Sequence, residues 1–344
     1  MTRFLPGFML GGSLDAANYA LTSRSGTDLS LVTGPCPWAD VVQSCLAAVA
    51  EDAVQPYRKP GQDPLLVAAI AAREGVGPES VWLVPGADNG IEFVLGRYLA
   101  AGGRIGILAP NFPRFAIVAS TLAGVGIEHF PALESMPARL KVAVVCTPCN
   151  PTTAEIGEAD LRQALTGHPD TLFCIDAVFS WYASWDVVAL CREFDNLVVL
   201  KSYSKIGLAG LRLGYVVAAA DLVAEIRAGR SPFSLPALCQ LIALEVEQSI
   251  DRVDMIRRWL AERVAPLTAA FGTNMRRETP VPFYELKIAH DSGAATQALA
   301  ERGILVVDGA KFAGMAPNRL RVAIGSEPEN ALFIRTIEDL RLLG

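Results

Sequence analysis

A lysine set among apolar walls and a second cation loses part of its positive charge and can condense with an aldehyde to form an imine. Residues 201–215, KSYSKIGLAGLRLGY, present two candidates, Lys201 and Lys205, in a chain with six lysines and twenty-four arginines. Ser202, Ser204 and Arg212 in the same stretch are donors suited to a phosphate. TLFCIDAVF sets Asp176 behind an apolar run, where a buried carboxylate needs a cationic partner and a protonated pyridine nitrogen would serve. In CTPCNPTTAE the Asn150 amide can donate to a ligand oxygen. VPGADNGIEF opens a helix with Ala87, Asp88 and Asn89 after the turn at Gly86, and free N–H groups there suit a phosphate. Phe112, in APNFPRF, could lie flat against a planar ring. Each pattern also has an ordinary structural reading: a solvated lysine, a helix cap at Asp88, an Asn-Pro turn, a core phenylalanine.

The elements that must position these residues are legible as short apolar runs: VWLV (81–84), RIGILAP (104–110), VAVVCTP (142–148), TLFCID (171–176), NLVVLKS (196–202) and GYVVAA (214–219). Most are continuously apolar, as strands covered on both faces are. Helical stretches lie between them, such as IEFVLGRYLAA with Ile91, Val94, Leu95, Tyr98 and Leu99 on one face. This alternation predicts an α/β fold with a mostly parallel central sheet. Ligands of such sheets gather at the carboxyl ends of strands, and the chemical residues above follow those ends. From about residue 237 one long helical run, 237–267, leads into FYELKIAH, GILVVDG and LRVAIGS, strands of a smaller C-terminal α+β lobe. Gly207 and Gly210 are read as allowing close backbone approach.

The chain has 344 residues, 51% apolar and 19% charged, with mean hydropathy +0.33. That composition supports a large core, and the boundaries expected are 40–236 for a large domain, with 1–39 and 237–344 forming a small one. A net charge of −6 without a long charged block makes nucleic acid and anionic membrane unexpected partners. No apolar run reaches membrane-spanning length and the first residues make a poor signal peptide, so a cytoplasmic protein is expected. Seven scattered cysteines read as reduced thiols. Cys146 and Cys149 have C-x-x-C spacing, but no second pair or nearby histidine completes a metal site. His129, His168 and His290 lie far apart, and no metal is expected.

Asn150, Asp176 and Lys205, in that order and each near a strand end, resemble the fold-type I pyridoxal-phosphate enzymes, and within them the class I/II aminotransferases. The nearest likeness is to the histidinol-phosphate aminotransferase and threonine-phosphate decarboxylase branch. The resemblance runs from about Val54 onward, and S-x-S-K-x-x-G-L-A-G-L-R-x-G-Y is its most specific piece. It implies pyridoxal 5'-phosphate as cofactor and Lys205, not Lys201, as the lysine that binds it. Asp176 is implied as the acid holding the ring nitrogen protonated, Asn150 as the amide on the ring's 3′-oxygen, and Phe112 as the stacking aromatic. Ala87, Asp88, Asn89, Ser202, Ser204 and Arg212 are implied around the phosphate, and Phe179 beside the ring. Tyr57 is implied as reaching the phosphate of a neighbouring subunit, hence a homodimer with shared sites. Arg321 is implied as gripping the substrate α-carboxylate.

The implied reaction moves an amino group between an amino acid and a 2-keto acid by a ping-pong route. Decarboxylation or oxidation on the same fold is the alternative, and a degenerate binding module is opposed by the presence of Lys205 and Asp176. Two departures from the family pattern stand out. Phe179 replaces a tyrosine, and LVTGPCPW (31–38) replaces the stretch that usually lines the substrate entrance. They point away from histidinol phosphate and toward a specialised, non-proteinogenic amino acid.

Overall fold

The computed structural model describes residues 26–49 and 62–343. Its main sheet contains β2 (Val81–Val84), β3 (Gly103–Leu108), β4 (Val125–Phe130), β5 (Val142–Cys146), β6 (Leu172–Asp176), β7 (Leu197–Ser202) and β8 (Gly214–Ala218), in the order β2-β8-β7-β6-β5-β3-β4. The neighbours from β7 to β4 run parallel, while β8 is antiparallel to both β7 and β2. Two reversals restore direction, so β2 points the same way as β7, and the carboxyl ends of β2, β3, β5, β6 and β7 share one edge.

The continuous apolar runs fold this way because both faces of the sheet are covered. Phe173, Ile175, Leu197 and Val199 enter one core, and their neighbours Cys174, Val198 and Leu200 enter the other. Helix Gly86–Tyr98 packs Ile91, Val94 and Leu95 into the second core, the face expected from the sequence. Burying a side chain of this size contributes roughly 1.5–3 kcal/mol. β4 has no counterpart among the apolar runs: it is an edge strand paired only with β3, half-exposed, and carries Glu128 and His129.

A four-stranded antiparallel sheet holds β12 (Val307–Asp308), β13 (Arg319–Ala323), β10 (Phe283–Lys287) and β9 (Met275–Arg276) in that order. β1 (Thr27–Asp28) pairs in parallel with β11 (Ile304–Leu305). The long helical run is two helices, Ala237–Glu247 and Val253–Phe271, with a tight turn at Ile250–Arg252 between them. There the Arg252 guanidinium leaves the helical course to bind the Pro37 carbonyl at 3.0 Å and Asp40 at 2.6 Å. Among the described residues, no helix is long and apolar enough to cross a membrane.

Candidate active site

Sheet register delivers the chemical residues to one edge. Val84 of β2 pairs with Gly214 of β8, which pairs with Ser202 of β7, so the chain before β8, with Arg212, meets the start of helix Gly86–Tyr98. Asp176 is the last residue of β6 rather than a residue beyond it, and Ser202 closes β7. Lys205 follows in the short helical turn Tyr203–Ile206. Together they enclose a cavity of about 500 Å3 whose lining includes Ala87, Asp88, Phe112, Asn150, Asp176, Phe179, Ser202, Ser204, Lys205 and Arg212.

Close backbone approach makes this possible at Gly214. A Cβ there would lie 2.7 Å from the Ala87 amide nitrogen and 2.8 Å from the Lys201 carbonyl. Gly207, at φ +84°, meets the Pro35 carbonyl, where a Cβ would sit at 2.3 Å. Gly210 has nothing within 4 Å, so its expected role in close approach is not met. Arg212 adopts a left-handed φ of 51°, unusual for a residue with a side chain, and its guanidinium lies over Gly86.

Two charges face each other across the cavity. Burial raises the Asp176 carboxyl to about 6, against the opposing pull of the Val178 N–H and the Lys205 ammonium. Burial lowers the Lys205 amine to about 8, aided by the positive charges of Arg321 and Arg212. Its Nζ lies 3.4 Å from the Val32 carbonyl and 5.4 Å from the Phe179 ring centroid. Phe179 is fully buried and packs edge-on against Phe283 at 5.0 Å. Lys201 points to the other face of the sheet, where it is buried between Glu74 at 2.7 Å and Asp186 at 3.1 Å.

The sequence expectations divide as follows. Lys205, Asp176, Asn150, Phe112, Phe179, Ser202, Ser204, Arg212, Ala87 and Asp88 are brought together. The Asn89 side chain is off the cavity wall, its amide donating to Glu92 at 3.0 Å, so what this residue offers a phosphate is its backbone N–H in the first turn of the helix. Asp88 is not a helix cap, because its carboxylate pairs with Arg114 at 2.8 Å. Arg321 lies fully buried, outside the cavity lining, donating to the Ser30 carbonyl at 2.6 Å, with its Nε unpartnered. Tyr57 lies outside the described residues. Arg114 and the strip Leu31–Thr33 line the cavity without having been singled out individually, and Ile91, expected only as part of an apolar helix face, lines it too.

Pyridoxal phosphate fits the donors present. Asn150 keeps a buried amide oxygen with no protein partner, a costly state that a hydrogen-bond donor on a bound group would relieve. Asp176, raised by burial, lacks the full cationic partner that a protonated ring nitrogen would be. Ser202, Ser204, Arg212 and the start of the helix at Gly86 form a cradle kept open by the missing Cβ atoms of Gly86 and Gly214. Among the described residues no cluster of His, Cys, Asp and Glu could hold a metal ion.

The profile of the family Aminotransferase class I and II matches residues 35–337. Histidinol-phosphate aminotransferase of Symbiobacterium thermophilum is 30% identical over 269 residues, 74% of this chain and 74% of that protein. The structure of histidinol-phosphate aminotransferase from Sinorhizobium meliloti in complex with pyridoxal-5'-phosphate superposes with a TM-score of 0.83, covering 99% of both chains at 17% identity. L-threonine-O-3-phosphate decarboxylase from Porphyromonas gingivalis gives 0.80 over 92% of this chain and 99% of that one, at 19% identity. At these identities the two structures show the fold: fold-type I, with a mostly parallel central sheet.

Proposed function

The chain belongs to the class I and II aminotransferases, and on that premise we propose that it takes its amino group from a specialised 2-amino acid with an apolar side chain. It is an enzyme that transfers amino groups with pyridoxal phosphate as its cofactor. One observation carries the substrate reading. Away from Lys205 and Arg212 the lining includes Leu31, Val32, Thr33, Ile91, Val178 and Phe179, and the one further cation among the described lining residues, Arg114, is paired with Asp88 and Glu92. Among the described residues such a wall offers no free positive charge to a distal phosphate, the group that histidinol phosphate, named for the relative above, would bring.

Bound pyridoxal phosphate supplies an aldehyde that condenses with amines and a ring that withdraws electrons from the bonds beside them. Ser202, Ser204, Arg212 and the N–H groups at the helix start would hold its phosphate. Asp176 would hold the ring nitrogen protonated, Asn150 the 3′-oxygen, and Phe112 a ring face. Lys205, with its amine near neutrality, would hold the aldehyde and then carry the substrate's α-proton. Phe179 brings no hydroxyl to the 3′-oxygen, leaving Asn150 as the polar contact on that side. Leu31–Thr33, on the cavity wall, would limit the water that reaches the proton transfer. Arg321 would receive the α-carboxylate through the Nε that now lacks a partner. The same reading carries Tyr57 to a neighbouring subunit's phosphate in a cytoplasmic homodimer. It also divides the chain into a large domain, 40–236, and a small one from 1–39 and 237–344.

A donor screen tests this. Holoenzyme is mixed with histidinol phosphate and with amino acids of graded apolar side chains, and loss of the visible cofactor band and keto-acid release are followed. Apolar donors are expected to convert the cofactor. Preference for histidinol phosphate would overturn the substrate reading, and carbon dioxide or peroxide without amino transfer would overturn the reaction. Lys205→Ala is expected to lose the borohydride-reducible band.

A further inference from the structure

Cys146 and Cys149 form a second cluster of reactive side chains, which amino transfer does not use. Both sulfurs are free thiols and both residues line a separate cavity of about 310 Å3, bounded also by Pro110, Ile156, Asp160 and Arg276. Cys146 ends β5 in direct register with Asp176 on β6. Its thiol lies on the strand position beside the Asp176 carboxyl, 3.5 Å from the Pro148 carbonyl, and its sulfur accepts from the Asn150 N–H at 3.3 Å. The chain then turns, with the Thr153 N–H on the Cys149 carbonyl at 2.8 Å and the Cys149 N–H on the Ala154 carbonyl at 2.7 Å. That turn brings the Cys149 thiol to the same cavity as Cys146 and to 3.2 Å from the Pro110 carbonyl. Two free thiols three residues apart, on one turn and facing one cavity, are placed to close a disulfide across that turn. One wall of the pair is the cofactor site; the other is the second cavity.

We propose that Cys146 and Cys149 are a reversible oxidation site: a low-molecular-weight disulfide entering the 310 Å3 cavity converts them to an intramolecular disulfide and withdraws the sulfur contacts from Asp176 and Asn150. Cys149 is the attacking thiol. The hydrogen bond from Cys146 holds it below the ordinary thiol range, whereas Cys146 is pushed well above that range by the same bond and by burial. The Cys149 thiolate attacks one sulfur of the small disulfide, whose S–S bond breaks and releases a thiolate. Cys146 then gives its proton to that thiolate and attacks the Cys149 sulfur, releasing the second half as a thiolate that takes up the proton Cys149 had lost. The protein has lost two hydrogens and the small disulfide has become two thiols. A disulfide has no S–H, so the thiol between Cys149 and the Asp176 carboxyl is lost and the surroundings of that carboxyl change beside the ring. That consequence rests on the cofactor reading; the thiol chemistry does not.

Holoenzyme is incubated with bis(2-hydroxyethyl) disulfide, denatured, treated with iodoacetamide and digested with trypsin. The peptide 142–162 contains both cysteines and no other. Its expected form is unalkylated and two hydrogens lighter, with alkylation restored by prior dithiothreitol. Cys146→Ser is expected to stop at a mixed disulfide on Cys149, and Cys149→Ser to leave Cys146 unmodified. A doubly alkylated wild-type peptide, under conditions that modify the exposed Cys36, overturns the proposal, as does a mixed disulfide that persists in the wild type. In parallel, the cofactor band of the oxidised wild type is expected to shift and to return with dithiothreitol, while that of Cys149→Ser stays still. A disulfide formed without a band shift refutes the coupling to Asp176. A band that survives Lys205→Ala would instead refute the cofactor reading and leave the thiol result standing.

Discussion

Replacing Asp176 by Asn keeps the shape of the side chain and removes its charge, and it separates what the carboxylate does for the fold from what it does for the reaction. Burial lifts this carboxyl from 3.8 to about 6. At 1.36 kcal/mol per pH unit, that is a preference for the neutral form of up to about 3 kcal/mol. A carboxyl raised on folding contributes stability that is complete below its unfolded value, near 4, and lost as the pH climbs through about 6. Cofactor-stripped Asp176→Asn is therefore expected to equal the wild type in stability near pH 4. At pH 7 it should exceed it by up to about 3 kcal/mol, a rise of about 5 °C in the thermal midpoint. With cofactor bound the order should narrow or reverse, because a protonated ring nitrogen supplies the cation the carboxylate lacks. Activity should fall roughly 10²–10³-fold, the scale of removing one electrostatic partner of a developing charge. Thermal melts of stripped and loaded protein at both pH values, with transaminase rates, form the assay. A variant whose stability advantage is absent at pH 7, or equally present at pH 4, would refute the burial argument; one with full activity would refute the assignment.

Other expectations concern the groups around that acid. Gly214→Ala must push the helix start at Ala87 away from β8; overpacking of this kind costs about 1–3 kcal/mol, and the loss should appear mainly in cofactor affinity measured by equilibrium dialysis. With its amine near 8, Lys205 is roughly 10% neutral at pH 7, so cofactor capture by stripped enzyme should accelerate with pH up to about 8 and then level. A rate still climbing at pH 10 would contradict the lowered amine. Lys201→Met breaks a buried ion pair, for which about 3–5 kcal/mol is typical; because Glu74 keeps the Tyr215 hydroxyl at 2.7 Å and a pair with Arg73, the lower end is expected. Borohydride should still reduce the cofactor band of that variant.

Legibility in the sequence followed burial. Strands β5, β6 and β7 are covered on both faces, so an unbroken apolar run was a sufficient signal, and the chemical residues at their ends could be located with them. β4 escaped because an edge strand alternates and tolerates Glu128 and His129. Arg114 escaped for a related reason. An arginine after a proline-rich turn has nothing local to distinguish it from a surface charge; its place is set by Asp88 and Glu92, 26 and 22 residues away. Asn89 illustrates the converse: the helix start around it was legible, but only the helical rotation shows that its side chain turns to Glu92. The break at Ile250–Arg252 depends on the distant Pro37 and Asp40, which no local periodicity could reveal.

The strip from Ser30 to Trp38 is stitched to parts of the chain made much later. Trp38 donates its indole N–H to the Ile206 carbonyl at 2.8 Å, Val32 accepts from Lys205, and Ser30 accepts from Arg321, 291 residues downstream. At synthesis rates of about 5–20 residues per second, the Ser30 carbonyl waits roughly 15–60 s for its guanidinium. The sheet strands β2 to β8 are complete well before that. The Arg321 contact to this wall of the active site can therefore form only after the sheet strands have been made, and its long sequence separation makes it slow to close. During translation the nascent chain would present a formed sheet and Lys205 without the strip tied down by Arg321. That gives a window in which cofactor can reach the lysine from the side that the finished enzyme seals.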